Sequence, residues 1–505
     1  MVHLSQAVRL GLVAAAAGLP LGTAFLPPAG TAAAFRPAAG AHAEVLTAPR
    51  LRPVPPCTRT RRPTLARLRA AATAADLDTW LAEQGGKTAC TATPAGLVAQ
   101  RDLKPGDEAC SVSLKACLTA ASARAAFGAL ADTVDAETAI ALQLLLEQSK
   151  GASSVWAAWI STLPARDALG TPYFWSKGDQ ELLQGTSVLD AIEENAEAYQ
   201  EEFDQLQAQG WADKFPAGVL TRENYEWAVE LVAARAVVAD KVEGSYILAP
   251  FVDAAFTAPP GSGTAEFYLN GMLREPRVRV VAGAGGVKQG DVVRLDFGGK
   301  SISKMLLRHG VADPNGQSAY DVQFSVSPMD KYRDDKLDIL EINGMEEDLS
   351  IAFSAEDYLT ADETAFLRLV CLEGMDAFLL ESVFRNEVWG FMQEPVSRDN
   401  EQRMLDTLIA TCEGALSAFQ TSDAEDRKAL AADSSRGKYA AAVRLSEKAA
   451  LKNTILILEE ELEDLDDKEY YQERRLRLLN LDRPLDESEI IDPDVDIRRE
   501  NIPGM

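Results

Sequence analysis

The sequence predicts an α+β chain in which a half built of short strands and interrupted by helices is followed by a helical lobe. Three features carry this. Short β-type runs ended by Gly or turn residues fall at 96–102, on both sides of Gly283-Ala284-Gly285-Gly286, and at 292–297. Helix-period runs fill 136–151, 187–209 and 224–235. No Gly or Pro interrupts 438–483, where Leu451, Ile455, Leu458, Leu462 and Leu465 alternate steps of four and three, the spacing of a long helix or coiled coil.

Composition narrows the function classes before any motif is read. A length of 505 residues suggests about three domains, and 47% hydrophobic residues is ample for buried cores. The formal charge is −27, but residues 1–72 hold nine Arg and one acid, Glu44, which leaves 41 basic and 76 acidic residues in the rest, a balance of −35. Such a body repels nucleic acid and anionic membrane and favours partners that present lysine-rich or basic segments. The cysteines, Cys57, Cys90, Cys110, Cys117, Cys371 and Cys412, form no C-x-x-C pair and read as buried thiols of a reducing compartment, with a redox-active Cys110 and Cys117 pair as the lesser alternative. The histidines are His3, His42 and His309, so no cluster exists for a metal, and any His-based triad would have to use His309.

In chain order, Arg9 precedes an apolar run at 10–21 that is shorter than the ~20 residues a bilayer span needs but suits a signal-peptide core. Small residues lead to Thr23-Ala24-Phe25 and Ala34-Phe35, and the Arg-, Ala- and Pro-rich segment to residue 72 reads as a transit peptide. A simple secretory signal followed by a disordered proline-rich linker is the alternative. Residues 77–86 form a short helix; 96–102 is a strand, and Lys104-Pro105-Gly106-Asp107 a turn. Helices follow at 136–151 and 155–163, with Trp156, Trp159 and Trp175 as core residues. The acidic helix at 187–209 presents a solvated face, and 224–235 is a further helix. The glycines at 283–286 make a hairpin loop rather than a phosphate site. The centre of the chain is 291–313: a buried strand, a Gly298-Gly299 break, and a short apolar helix from Ser301 that ends on His309. Gly-Gly-Lys-Ser there is not a phosphate loop, since the first glycine of that motif would have to be Arg294.

The order of these elements resembles the SET domain of plant-type plastid lysine methyltransferases, the Rubisco large-subunit methyltransferase family. The family's strand, Tyr-Asp-x-x-Lys-Ser-Asn, helical turn and Tyr-Gly-Phe correspond to 291–313. Lys300 and Ser301 match, Ile302 replaces the asparagine, and His309-Gly310-Val311 stands at Tyr-Gly-Phe. Thr93-Pro94-Ala95-Gly96 stands at Glu-Gly-Leu-Gly; Arg235 matches the arginine after the Trp-Ala helix; Pro250 and Asp253 match Pro-x-x-Asp, and Phe256-Thr257 replaces Asn-His. The strings at 379–402 and 468–482 are similar to the family's substrate-binding lobe, so the resemblance spans roughly 77–482.

The resemblance implies a SET-domain β-fold with a helical insertion at about 125–230, followed by an all-α substrate-binding lobe. Boundaries follow at 1–72 for the presequence, 73–313 for the SET domain, 314–482 for the lobe and 483–505 for an acidic tail. It implies S-adenosylmethionine as cofactor, bound by Gly96, Arg235, Phe256 and Thr257, and His309 as the catalytic residue at the tyrosine position. Pro94 lacks an amide hydrogen, so cofactor binding should be weakened. A neutral His309 is the useful form, which predicts an inflection in activity near the imidazole's ~6.5. The implied function is protein-lysine N-methylation of a plastid stromal protein such as the Rubisco large subunit or aldolase, by a monomer bound to neither nucleic acid nor membrane. The presequence resembles the bipartite type of algae with secondary plastids. Departures at the cofactor and tyrosine motifs keep a second reading open, a catalytically inactive binding module on the same fold.

Overall fold

The computed structural model describes residues 74–93, 96–238, 246–258, 264–270, 275–296, 300–354, 359–431, 435–479 and 481. The presequence, Pro94, Ala95, Gly298, Gly299 and the acidic tail lie outside them. Among the described residues no helix is long and apolar enough to cross a membrane.

The main sheet grows around the strand Val292–Asp296, whose Val293 and Leu295 are fully buried. It pairs antiparallel with Gly96–Ala99 through Val292–Val98 and Val293–Leu97, and parallel with Phe256–Ala258 through Arg294–Phe256 and Leu295–Thr257. Ala265–Asn270, Arg277–Ala282, Glu108–Ser113 and Lys87–Thr88 extend the sheet on one side, and Cys90–Thr93 ends it on the other. In Arg277–Ala282 the period of two is plain: Val278, Val280 and Ala282 are buried and the alternate residues half-buried. The glycines at 283–286 form the expected turn, closed by the Gly286 amide donating to the Gly283 carbonyl at 2.9 Å.

Helices cover this sheet. Asp135 caps Ala136–Ser149 by accepting from the Thr138 amide, and Thr221 caps Arg222–Arg235 by accepting from the Asn224 amide. These two helices pack on each other with Ile140, Leu144, Leu231 and Val232 fully buried. The acidic helix runs from Ser187 to Ala208 and leaves most of its carboxylates in water, as expected. The helix expected at 155–163 is a single turn, Ala157–Ile160, because Trp156 and Trp159 are drawn apart, each donating its indole N–H to a different part of the fold. The Cys110 and Cys117 thiols are free, buried and far above the ordinary thiol range, so the redox-pair alternative fails.

A second core gathers Tyr320, Phe324, Phe366, Leu369, Leu405 and Leu451 in the C-terminal region. This lobe is helical, with one exception that the sequence reading missed: Ala319–Ser325 and Asp348–Ser354 pair as a two-stranded antiparallel sheet. The lobe's helix Ala361–Val370 ends at Cys371, and Gly374–Leu380 follows as a 3-10 turn. The long helix expected over 438–483 is shorter. It spans Ser435–Glu463, tightens to a 3-10 turn at Asp464–Asp467, and Tyr471–Leu478 forms a separate helix. Neither Gly nor Pro is needed for the break. Glu459, Glu460, Glu461, Glu463 and Asp464 crowd the negative end of the helix dipole, and Asp is a weak helix former. Leu451, Leu458 and Leu465 are buried in the lobe's own core, so the heptad-like run is not an intermolecular coiled coil. A third, smaller cluster, with Trp175, Val188, Ile302, Leu306, Ala440 and Val443, joins the two cores.

Candidate active site

Strand pairing brings distant sequence motifs to one place. Gly96–Ala99 and Phe256–Ala258 occupy consecutive stretches of Val292–Asp296, so the start of the Gly96 strand and the Phe256-Thr257 backbone converge near Arg294. Gly96 is buried, pairs with Thr93 and has φ +119°, a conformation that favours glycine. The strand then hands over to the helix Ile302–His309, whose N-cap Ser301 accepts from the Lys304 amide at 3.2 Å. At the other end Gly310 is left-handed, and a Cβ there would fall 2.6 Å from the Gly170 backbone. Only glycine allows that approach, which seats His309 against the helical insertion.

Arg235 lies at the last turn of its helix, where its guanidinium donates to the Asp253 carbonyl at 2.9 Å. Asp253 itself is buried, and its Oδ2 accepts from the Trp159 indole at 3.0 Å. Burial pushes the Asp253 carboxyl up to about 6 against the opposing pull of Trp159 and Arg235. Its Oδ1 is buried without a hydrogen-bond partner among the described residues. Phe251, two residues earlier, has φ +73° and ψ −46° and is the only non-glycine residue with positive φ among those described. A bulky residue held there is strained by about 1–3 kcal/mol, and such strain persists where the surroundings fix it, as they often do at functional sites.

His309 is 9% exposed and bonded on both ring nitrogens. Nδ1 lies 2.9 Å from the Ala234 carbonyl, so it carries the hydrogen and donates; Nε2 is then the acceptor, 3.2 Å from Lys300 Nζ. Burial, with Lys300 adding to it, pushes the imidazole down to about 3. Burial thus favours the neutral imidazole, the form taken as useful above, and places its titration below the ~6.5 of a free imidazole. Lys300 takes the titration instead, brought down to about 8 by burial and the positive charge of Arg308, against the pull of Glu137.

The five sequence-derived residues thus form one connected path. His309 bonds to Ala234, the neighbour of Arg235; Arg235 bonds to Asp253, and the chain from Asp253 leads to Phe256 and Thr257, which share the central strand with the Gly96 strand. Trp159, Phe251 and Lys300 belong to the same neighbourhood but were not singled out as site residues from sequence. Lys300 was visible as a motif match, whereas Trp159 is 94 residues from the aspartate it holds. The chemistry of these residues suits a cationic cofactor such as S-adenosylmethionine. Glycine opens the backbone at Gly96, and the unpartnered Asp253 oxygen offers a buried acceptor to a cationic ligand. Among the described residues no group of His, Cys, Asp and Glu could hold a metal ion.

Comparison with known proteins gives a consistent picture. The Rubisco LSMT substrate-binding family matches residues 327–451. The chain is 30% identical over 431 residues to the chloroplastic ribulose-1,5 bisphosphate carboxylase/oxygenase large subunit N-methyltransferase of Nicotiana tabacum, covering 80% of this chain and 85% of that one. It is 30% identical over 428 residues to the chloroplastic fructose-bisphosphate aldolase-lysine N-methyltransferase of Arabidopsis thaliana, covering 80% and 86%. Among solved structures, the SET domain of LSMT bound to lysine and AdoHcy superposes with a TM-score of 0.71 at 27% identity, over 83% of this chain and 97% of the other. Rubisco LSMT bound to AdoMet gives a TM-score of 0.69 at 27% identity, over 82% and 97%.

Proposed function

The chain belongs to the family of SET-domain protein-lysine N-methyltransferases that includes the Rubisco large-subunit enzymes, and from that premise we propose that it methylates a lysine of a plastid stromal protein of the Rubisco large-subunit or aldolase class. The observation that supports the reading is the path of strand pairing and hydrogen bonds that runs from the Gly96 strand through the backbone at 256–257 and Asp253 to Arg235 and the buried His309. The alternative of an inactive binding module draws no support from relatives that are named as methyltransferases.

S-adenosylmethionine, when bound, would supply an electrophilic sulfonium methyl to the substrate lysine nitrogen, leaving as the neutral thioether. The substrate amine, with a reference pKa of ~10.4, must be neutral to react. Asp253 offers negative charge to the cationic end of the site, and Arg235 holds the Asp253 carbonyl in place. His309 acts as a fixed neutral acceptor rather than a proton shuttle, since its Nδ1–H is committed to Ala234. Lys300 is the group beside it that loses a proton near the working pH. The acidic balance of the body suits a basic, lysine-presenting substrate.

We assign the sheet-built half, 73–313, to catalysis, the lobe at 314–482 to substrate binding, and residues 1–72 to plastid delivery, and expect a monomer in solution. The test is transfer of labelled methyl from S-adenosylmethionine to stromal extract by the protein lacking residues 1–72. One or a few labelled stromal bands are expected; no incorporation across pH 6 to 10 would overturn the reading. A fluorescent fusion of residues 1–72 should enter plastids, and cytosolic or mitochondrial retention would defeat the location.

A further inference from the structure

We infer that Glu447 is a positioning residue, a buried carboxyl of the substrate-binding lobe that fixes the starting turns of two helices in the catalytic half, one of which ends on His309. Glu447 lies on the helix Ser435–Glu463 and is fully buried. Its Oε1 accepts from Ser187 Oγ and from Ser303 Oγ, both at 2.6 Å, and its Oε2 accepts from the Ser187 amide at 3.1 Å. Ser187 opens the helix Ser187–Ala208, whose N-cap Thr186 makes no side-chain cap bond, so Glu447 supplies from another lobe what the local sequence leaves out. Ser303 stands in the first turn of Ile302–His309. Movement of the lobe helix is therefore transmitted to the element that places His309.

Among the described residues the joint has no cation of its own. Lys304, on the His309 helix, is engaged by Asp321 at 2.7 Å. Arg444 and Lys448, on the Glu447 helix, are both taken by Asp426, each at 2.6 Å. Other ionisable groups around it, Asp321 and Tyr320 from the two-stranded sheet, Asp190 from the acidic helix and the buried Cys412 from the helix Arg398–Ala418, add no positive charge. The nearby Ser446 hydroxyl is buried without a partner among the described residues. Burial, reinforced by the charge of Asp321, pushes Glu447 up to about 8, while the serine bonds and the Ser187 amide pull the other way. The sign follows from a raised carboxyl: the stability it contributes is fully present below its unfolded value near ~4.3 and is lost as pH rises through about 8. Alkaline conditions load a buried, unpaired charge onto the joint and loosen the His309 helix.

The test uses the protein lacking residues 1–72, as wild type and as Glu447→Gln, Glu447→Ala and Ser303→Ala, and only its kinetic arm rests on the methyltransferase reading. Hydrogen exchange is followed in residues 302–309, with Ala136–Ser149 as the internal reference and correction for intrinsic rates. Wild-type protection of 302–309 should fall by about tenfold between pH 7 and 9, since each tenfold reflects opening of the local structure. Glu447→Gln, neutral at every pH, should keep that protection at pH 9, and Glu447→Ala and Ser303→Ala should lose it already at pH 7. In methyl transfer, Glu447→Ala should lower kcat about fivefold with KM for S-adenosylmethionine unchanged, and Glu447→Gln should restore it. Equal loss of protection in wild type and Glu447→Gln, or unchanged protection in Glu447→Ala, would overturn the inference even if no methyl transfer is found.

Discussion

Glu401 and Asp426, deep in the helical lobe, and Asp253 and Glu230, near the candidate site, are buried carboxylates treated in opposite ways, with the lobe's Glu447 at the joint behaving like the second pair. In the lobe, Glu401 is fully buried but clamped by the Arg368 guanidinium at 2.5 Å and 3.2 Å, with Lys468 at 3.4 Å. Asp426 is fully buried and held by Arg444 and Lys448. In the catalytic half, Asp253 has a tryptophan N–H for its side chain, and Glu230 accepts from the Tyr199 hydroxyl at 3.0 Å; burial pushes Asp253 up to about 6 and Glu230 up to about 7. Paired charges lock a scaffold, whereas carboxyls left near neutrality can respond to a ligand or a proton. The difference marks the clamped part of the lobe around Glu401 and Asp426 as rigid, and Asp253, Glu230 and the joint residue Glu447 as the buried carboxyls that titrate.

The largest test of this contrast is to break a clamp. Arg368→Met removes the cation and leaves Glu401 buried with only the half-buried Lys468, which should cost ~3–5 kcal/mol of unfolding free energy. Urea unfolding of the variant against wild type measures it, and a loss below about 1 kcal/mol would mean that the lobe's charges are surface-like after all.

The converse substitution in the catalytic half should be tolerated. Asp253 has a raised carboxyl, so its contribution to stability is present below its unfolded value near ~3.9 and lost as pH rises through about 6. Asp253→Asn should therefore abolish a pH-dependent loss on the order of 2 kcal/mol between pH 4 and 7 while lowering methyl transfer at least about tenfold. Thermal midpoints across that range and initial rates at pH 8 separate the two effects. A variant that keeps full activity would remove Asp253 from the site.

How much of this was legible follows from where each signal lives. Local signals were clear: the Val292–Asp296 strand, the Ser301 cap, the Arg222–Arg235 helix and the buried face of Leu451, Leu458 and Leu465 all rest on neighbours within a few turns. His309 could be singled out because it is the only histidine after residue 42, but its protonation could not, since that depends on burial and on the Ala234 carbonyl 75 positions away. Asp253 was seen as a motif match, while its Trp159 partner looked like any core tryptophan. Glu447 gave no signal at all. In sequence it is one charge among several on a long helix, and its partners lie 260 and 144 residues distant.

A smaller effect concerns the cofactor. Pro94 cannot donate an amide hydrogen, and restoring a donor is worth about 1 kcal/mol net where a ligand oxygen awaits it. Pro94→Gly should tighten S-adenosylmethionine binding roughly fivefold by the same arithmetic, read by titration calorimetry. Unchanged affinity would mean that position 94 does not touch the ligand.

The smallest effect, and the one that most sharpens the contrast, is the pH profile around His309. With its imidazole held near 3, His309 contributes no inflection between pH 6 and 10. Lys300 does, because burial and Arg308 bring its ammonium down to about 8, and as pH rises through that value one positive charge leaves a site that must also hold a sulfonium and an amine. Wild-type kcat should thus be flat through 6.5 and rise near 8. His309→Ala removes the acceptor 3.2 Å from Lys300 Nζ, so the ammonium loses a bond that its neutral form needs less, and the rise should move to lower pH by under about one unit. Lys300→Met should abolish the rise and leave only the alkaline limb of the substrate lysine. A wild-type inflection at 6.5 that disappears in His309→Ala would show that the imidazole titrates after all, and that the catalytic half is more open to water than its packing around Ala234 indicates.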